Sequence, residues 1–174
     1  MSGKPIYYWD TSVWLAWLKG ETREAGEMEG VAEIAQEVVD GEAVLITSTI
    51  TRIEILETRL EPNQRNKFLE TLESSGITEV DLDPFVAEIA SEIRDYYILQ
   101  RPDGSKMSVP DAIHLATAIH SKATEFSHFE KGEKSISFSK LGSMVADKYP
   151  LNIKCPMKSQ TELKLIDTDP PKEK

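Results

Sequence analysis

The sequence predicts an α/β fold, an α/β/α sandwich in which helices cover a mostly parallel central sheet of about four or five strands. Strand-like and helix-like segments alternate along the chain, and this alternation is typical of a parallel sheet with helices on both faces. The length of 174 residues suits one domain that buries a full hydrophobic core. Hydrophobic residues make up 40% and charged residues 29% of the chain, as in ordinary globular proteins.

Two strands, each followed by helices, are predicted in the first half of the chain. Ile6–Trp9 is rich in β-branched and aromatic residues, and an apolar helix over residues 11–18 follows it and ends before Gly20. Apolar residues at helical spacing predict an amphipathic helix over residues 29–40, and residues 43–46 predict a buried second strand. The apolar stripes of the next two helices are carried by Ile50, Ile53, Leu56 and Leu60, and then by Phe68, Leu69 and Leu72.

A third strand and two further helices are predicted in the middle of the chain. Residues 77–82 alternate in polarity as a strand does. Asp83 followed by Pro84 is a strong helix start, because an N-cap residue precedes a proline at the first helical position. A polar loop is expected over residues 101–107, and another helix over residues 111–122.

Two more strands and a polar tail complete the predicted order of elements. The strands are expected at residues 125–129 and 151–155, with a loop-like stretch over residues 131–143 between them. We expect one domain over residues 1–157, followed by a polar and flexible C-terminal extension over residues 158–174.

The net charge of −10 is distributed unevenly along the chain. Residues 21–42 contain eight acids and one base, a pattern typical of a solvated helix face. Residues 131–158 contain six lysines and two acids, and Lys131, Lys134 and Lys140 are candidates for contacts with a phosphate backbone. The acidic total argues at first sight against a nucleic-acid partner, but its uneven distribution leaves such a partner open.

The sequence also argues against a disulfide, a zinc cluster, a membrane-spanning helix and a secretory signal. The single Cys155 cannot form an internal disulfide, and with three histidines it does not make a Cys/His zinc cluster. No apolar run approaches the roughly 20 residues that a membrane-spanning helix needs. The N-terminus lacks the pattern of a secretory signal. We therefore expect a cytoplasmic protein in a reducing compartment, without membrane contact.

Four carboxylates follow the predicted strands or open the helices that come after them. Asp10 follows the first strand, Glu54 lies in the first turns after the second, Asp111 opens a helix, and Glu130 follows the fourth strand. Functional sites of parallel sheets form outside the carboxyl ends of the strands, so these side chains are expected at one edge. Oxygen ligands of this kind suit Mg²⁺ or Mn²⁺. A divalent cation there would activate water for phosphodiester hydrolysis.

Each of these residues also has a purely structural interpretation. Asp10 is a good N-cap for the helix that follows it, and Ser12 can assist the same helix start. Asp111 favours the positive end of a helix dipole, and Glu130 can be a surface acid. His114 lies on the same side of its helix as Asp111 and can form a structural hydrogen bond instead of a catalytic one.

Four segments of the sequence, taken together, resemble the PIN-domain ribonucleases and, within them, the VapC-like toxins of toxin–antitoxin pairs. The segments are YWDTS at 8–12, STITRIE at 48–54, PDAIHLATA at 110–118 and EFSHFE at 125–130. They span nearly the whole chain and occur in the family's order. The third segment, with an Asp before a His-Leu-Ala-Thr-Ala helix, is the most specific of the four.

The resemblance implies a PIN-like sandwich and a Mg²⁺- or Mn²⁺-dependent endoribonuclease. It assigns the catalytic and metal-holding acids to Asp10, Glu54, Asp111 and Glu130. It also implies a homodimer, an RNA substrate and a cognate antitoxin whose segment enters the active-site groove. We expect Ser12 and His114 in supporting roles.

The fourth segment departs from the family pattern. Family members commonly have Thr-x-Asp at this place, whereas this chain has His128, Phe129 and Glu130. The longer glutamate motivates a second hypothesis, in which a catalytically degenerate PIN-like module binds RNA or a protein without cutting. A third hypothesis, an aspartyl-phosphate enzyme that uses Asp10, is disfavoured because Ser12 stands where phosphatases of that kind carry a second Asp.

Overall fold

Strands and helices alternate in the computed structural model of the chain, which describes residues 3–100, 107–129 and 138–159. The strands are β1 (Ile6–Trp9), β2 (Val44–Ser48), β3 (Ile77–Val80), β4 (Glu125–Ser127), β5 (Met144–Val145), β6 (Tyr149–Pro150) and β7 (Ile153–Lys154). The helices are α1 (Thr11–Lys19), α2 (Glu27–Val39), α3 (Thr49–Glu57), α4 (Pro62–Leu72), α5 (Pro84–Gln100) and α6 (Val109–His120). A short 3₁₀ helix covers Phe138–Lys140.

Five of these strands form one parallel sheet, in the order β3-β2-β1-β4-β7. Strand β1 lies at the centre, where Tyr8 is in register with Ile46 of β2 on one side and Phe126 of β4 on the other. All five strands therefore end at the same edge, and the segments that follow them meet there. The prediction of an α/β sandwich on a mostly parallel sheet of four or five strands is confirmed.

Alternating residues of β1 pack into two separate cores, one on each face of the sheet. Tyr8 belongs to the core under α5 and α6, whereas Trp9 belongs to the core under α1, α2 and α4. Tyr8 is fully buried and Trp9 is 1% exposed, as expected when both faces of a parallel strand are covered. Strand β2 repeats this division, with Ile46 in the first core and Leu45 in the second. The site at the strand ends therefore rests on a rigid, doubly covered sheet.

Three local features differ from the sequence expectations. Residues 138–140, predicted as loop, form the 3₁₀ helix, and β5 pairs with β6 in a small antiparallel hairpin. Strands of two residues are too short to produce a readable alternation, so the sequence pattern could not reveal them. Helix α6 begins at Val109, two residues before the expected start, because Ser108 is its N-cap and accepts a hydrogen bond from the Asp111 amide.

The segment after β7 packs closely against α2. A side chain at Gly30 would meet the backbone of Met157, since an added Cβ there lies 2.5 Å from the Met157 amide nitrogen. Lys158 donates its amide to the Gly26 carbonyl at 2.7 Å, and the Ser159 amide donates to Glu33. The expected domain boundary after residue 157 stays a prediction, because residues 160–174 lie outside the described part of the chain.

Helix α2 carries much of the negative charge on its outer side. Glu29 is exposed, whereas Val31 and Ile34 on the opposite side are buried in the core. This arrangement is the amphipathic helix that the spacing of apolar residues predicts. Among the helices of the described residues, none combines the length and the apolar character that crossing a membrane requires.

Candidate active site

Asp10 lies at the carboxyl end of the central strand and begins the next helix. Its amide donates to the Ser127 carbonyl at 3.2 Å, which ties it to the end of β4. As the N-cap of α1, it accepts the Val13 amide at Oδ1 over 3.1 Å. Ser12 Oγ donates to the same oxygen and accepts the Phe129 amide at 2.8 Å. Ser12 therefore links the Asp10 carboxylate to the segment after β4.

Burial changes the protonation behaviour of Asp10. The residue is 7% exposed, and desolvation by burial raises the pKa of its carboxyl group above the ordinary value. A positive charge on nearby His114, when that ring is protonated, and the hydrogen bonds from Ser12 and Val13 lower the pKa, but they do not cancel the effect of burial. A buried carboxylate of this kind is stabilised in its charged form by a neighbouring cation.

Glu54 approaches the same region from the second strand. Strand β2 ends at Ser48, which caps α3, and Glu54 lies in the middle of that helix. Its Oε2 accepts a hydrogen bond from Thr11 Oγ1 and lies 2.8 Å from His114 Nε2. Three elements, α1, α3 and α6, therefore meet at this one carboxylate oxygen.

His114 connects Glu54 to the core through Tyr8. The Tyr8 hydroxyl lies 2.6 Å from His114 Nδ1, and the Tyr8 ring stacks on Phe126 with 5.0 Å between the ring centres. A carboxylate only accepts hydrogen bonds, so in the neutral imidazole Nε2 carries the hydrogen and Nδ1 accepts from Tyr8. Burial raises the pKa of Tyr8 well above its ordinary value, which keeps this hydroxyl protonated as the donor. The two hydrogen bonds therefore run in one direction, with Tyr8 donating to His114 and His114 donating to Glu54.

Asp111 lies in the first turn of α6 and is partly exposed. It precedes His114 by three residues, and residues at this spacing share one side of a helix. Its carboxylate forms no hydrogen bond or ion pair with another residue of the described part of the chain. Hydrogen bonds therefore join Glu54 to His114 and to Thr11, the neighbour of Asp10, whereas Asp111 lies on the helix of His114 and forms no hydrogen bond with either acid among the described residues.

The other predicted site residues fall in or near the last third of the chain. Glu130, Lys131 and Lys134 lie outside the described residues. Lys140 is exposed at the end of the 3₁₀ helix, and no contact within the described ranges joins it to Asp10.

The donor atoms at this edge suit a hard divalent cation. Asp10 and Glu54 offer carboxylate oxygens, which are the ligands that Mg²⁺ and Mn²⁺ prefer. Because burial disfavours the charged form of Asp10, a bound cation would stabilise that carboxylate. Over residues 3–100, 107–129 and 138–159, no three His, Cys, Asp or Glu side chains stand close enough together to form a metal-holding group.

Two residues of this network, Tyr8 and Thr11, had no role in the sequence analysis. Both lie in the YWDTS segment beside Asp10, so the sequence alone shows that they are near the site. The sequence does not show their partners, because Tyr8 and Thr11 bind residues that are 106 and 43 positions away along the chain. Only the packing of α3 and α6 on the sheet brings Glu54 and His114 to them.

Comparison with protein families now identifies the fold that carries these residues. The family model for the PIN domain matches residues 7–138, which include Asp10, Glu54 and Asp111. The chain belongs to the PIN-domain family. No curated protein gives a significant match to this PIN domain.

Several solved structures have a similar fold, one of them described as a toxin–antitoxin complex. A chain of VapBC2 from Rickettsia felis, bound to a promoter DNA fragment, aligns with a TM-score of 0.59 and 12% identity, covering 86% of this PIN domain's chain and 97% of its own. FitAcB from Neisseria gonorrhoeae gives 0.54 and 21%, covering 86% and 97%. A toxin–antitoxin complex from Klebsiella pneumoniae gives 0.53 and 16%, covering 88% and 99%. At these identities the likeness establishes the fold alone.

Proposed function

We propose that this PIN domain is a metal-dependent endoribonuclease that hydrolyses RNA phosphodiester bonds, and that it is the toxin of a toxin–antitoxin pair. The observation that carries the proposal is that Glu54 is hydrogen-bonded to His114 and to Thr11, the residue after Asp10, at the carboxyl edge of the sheet. Water is the nucleophile in this proposal, because Ser12, the serine at this edge, is buried and its hydroxyl is engaged by Asp10 and the Phe129 amide.

In this reaction the carboxylates of Asp10, Glu54 and Asp111, which do not stand together as a metal-holding group in the described part of the structure, would converge on Mg²⁺ or Mn²⁺, with Glu130 as a fourth acid. The cation supplies a water of lowered pKa and stabilises negative charge on the phosphate. Ser12 and the Val13 amide hold the Asp10 carboxylate in one orientation at the helix start. Thr11 and His114 do the same for Glu54.

The proposed partners follow from the same assignment. RNA is the substrate, and the exposed Lys140 together with Lys131 and Lys134 would contact its backbone. The solved structures of similar fold, one of them described as a toxin–antitoxin complex, support a cognate antitoxin as protein partner. A homodimer and a cytoplasmic location complete the proposal.

The test is cleavage of a single-stranded RNA with Mn²⁺ present. The wild-type protein is expected to cut, and both EDTA and Asp111→Asn are expected to abolish cleavage, because the site then lacks its cation or one of its ligands. Glu42→Gln is the matched control, since Glu42 is an exposed acid that precedes β2 and so lies away from the carboxyl ends of the strands. Unchanged circular dichroism confirms that Asp111→Asn is folded. Full cleavage by Asp111→Asn, or in EDTA, contradicts the assignment.

A second candidate function is a PIN-like module that binds RNA or a protein without cutting. Two observations favour it: the Glu130 departure from the family pattern, and the lack of a metal-holding group of three side chains among the described residues. Calorimetric titration with Mn²⁺ separates the two functions. Heat of binding that is lost in Asp10→Asn supports the nuclease, whereas no binding by the folded wild-type protein supports the inert module.

A further inference from the structure

A large cleft opens beside the candidate active site, at the carboxyl ends of β4 and β7. Its volume is about 740 Å³, within the range of roughly 300–1,000 Å³ that is usual for ligand sites. The α1–α2 connection forms one wall, and the segments after β4 and β7 form the others. Phe129 in this cleft donates its amide to Ser12, which donates to Asp10. The cleft is thus two hydrogen bonds away from the proposed catalytic acid.

Arg23 and Phe129 form a flat, cationic platform in the cleft. The Arg23 guanidinium carbon lies 3.9 Å from the centre of the Phe129 ring, and an ion pair with Glu21 at 2.8 Å fixes the guanidinium group. The Nε of Arg23 is buried and has no hydrogen-bond partner among the described residues. The Phe129 ring is only 4% exposed and supports the guanidinium, so the Arg23 plane is the surface of this platform on which an unstacked RNA base can stack.

Glu27 provides a carboxylate that is held in place on the wall of the cleft. The Cys155 thiol donates to its Oε1 at 3.1 Å. Burial, together with the bond to Glu27, raises the pKa of Cys155 to about 12, so the thiol keeps its proton and remains a donor at neutral pH. Glu21 and Glu24 also line the cleft. Glu21 is paired with Arg23, and Lys154 of the same lining is paired with Glu125, so Glu24 and Glu27 leave an excess of negative charge that favours a ligand presenting hydrogen-bond donors.

We propose that this cleft binds a guanine base of the single-stranded RNA, next to the phosphodiester bond that is cut. The base stacks on the Arg23–Phe129 platform and donates its N1 and N2 hydrogens to the Glu27 carboxylate. This inference rests on the proposed function, because it places the base relative to an RNA cleavage site at Asp10.

Guanine fits this lining better than the other three bases. It presents two adjacent donors, N1–H and the N2 amino group, which match the two oxygens of one carboxylate. Adenine and cytosine offer one amino donor beside an acceptor, and uracil places its single N3 donor between two carbonyl oxygens, so each would bring an acceptor against Glu27.

The first test measures binding without cleavage. Fluorescence anisotropy in EDTA compares labelled pentanucleotides UUGUU, UUAUU, UUCUU and UUUUU, with the inosine analogue UUIUU, which lacks the N2 amino group. UUGUU is expected to bind at least about fivefold more tightly than the others, since one good bidentate pair discriminates by about that factor or more. UUIUU is expected to lose part of this advantage.

Variants assign the preference to the cleft. Glu27→Gln is expected to remove the preference for UUGUU over UUAUU, because the amide sets one acceptor oxygen beside an NH₂ donor and cannot match two adjacent donors of the base. Arg23→Ala is expected to weaken binding of all five oligonucleotides, whereas Arg65→Ala, which removes an exposed arginine of α4, leaves it unchanged. Equal affinity for all five by the folded wild-type protein, or a guanine preference that survives Glu27→Gln, overturns the proposal.

A second measurement separates this proposal from the nuclease proposal. Cut sites are mapped on a mixed-sequence RNA with Mn²⁺, for wild type and Glu27→Gln. If the wild type cuts beside guanine and Glu27→Gln cuts beside other bases as well, both proposals are supported. Guanine-preferring binding in EDTA without any cleavage supports the cleft and contradicts the nuclease, whereas metal-dependent cuts with no base preference contradict the cleft alone.

Discussion

Removal of the Tyr8 hydroxyl is predicted to destabilise the protein through His114. Tyr8→Phe keeps the buried ring on Phe126 but removes the donor that lies 2.6 Å from His114 Nδ1. His114 is 3% exposed, so water has little access to the orphaned nitrogen. A buried polar atom left without its partner costs about 1–3 kcal/mol of unfolding free energy. For a domain of this size, that corresponds to a melting temperature lower by roughly 2–12 °C.

Urea denaturation followed by tryptophan fluorescence measures this cost. The matched control is Tyr7→Phe, which removes a hydroxyl from the same strand. The Tyr7 hydroxyl donates to Glu37 over 2.9 Å in a part-buried setting, so its loss leaves no fully buried atom unpaired. We expect the Tyr7 variant to lose clearly less stability than the Tyr8 variant.

A double-mutant cycle tests whether the cost passes through the imidazole. In the background of His114→Leu, no nitrogen remains to be orphaned, so Tyr8→Phe is expected to cost close to nothing. An equal cost of Tyr8→Phe in both backgrounds would refute the hydrogen-bonded chain from Tyr8 through His114 to Glu54. A loss no larger than that of Tyr7→Phe would refute it as well.

Three further changes give expected outcomes by urea denaturation. Asp10→Asn keeps an N-cap residue but removes a buried carboxyl group, and burial raises the pKa of that group. The free energy of unfolding of the wild type therefore falls as the pH rises from the unfolded-state pKa through the raised folded-state pKa, whereas that of the variant does not. Asp10→Asn is therefore expected to be more stable than the wild type at pH 7.5 and to differ little from it at pH 4. The reverse order of these two differences would contradict a raised pKa of Asp10. Gly30→Ala is expected to cost about 1–3 kcal/mol, because its methyl group would displace the Met157 backbone, and an unchanged midpoint would contradict that packing. Arg52→Ala is expected to cost no more than about 1 kcal/mol, since its ion pair with Glu79 is 42% exposed on the arginine side, and a larger loss would contradict a weak surface pair.

The order of strands and helices could be predicted from the sequence because each element has a local signal. Gly20 ends α1 in a left-handed conformation, and Ser108 caps α6. These residues act within a few positions of themselves, so their effect is readable without the fold. The hairpin of β5 and β6 has no such signal, because two-residue strands are defined by their pairing alone.

The candidate site could be predicted only in part. The rule that parallel strands end at one edge led to Asp10 and Glu54, and in the structure Glu54 is hydrogen-bonded to His114 and to Thr11, the neighbour of Asp10. The same rule gives no partners, so the roles of Tyr8 and Thr11 depend on tertiary packing. The Arg23–Phe129 platform was equally hidden, since its two residues are 106 positions apart in the chain.

The chemical form of the RNA ends after cleavage tests the proposed nuclease most directly. Wild type and Asp10→Asn are incubated with one RNA oligonucleotide and Mn²⁺, and the products are analysed by mass spectrometry. If a metal-activated water attacks the phosphate, the wild-type fragments carry linear phosphate ends and Asp10→Asn yields no fragments. Fragments that end in a 2′,3′-cyclic phosphate, or equal cleavage by Asp10→Asn, would contradict metal-dependent hydrolysis at Asp10.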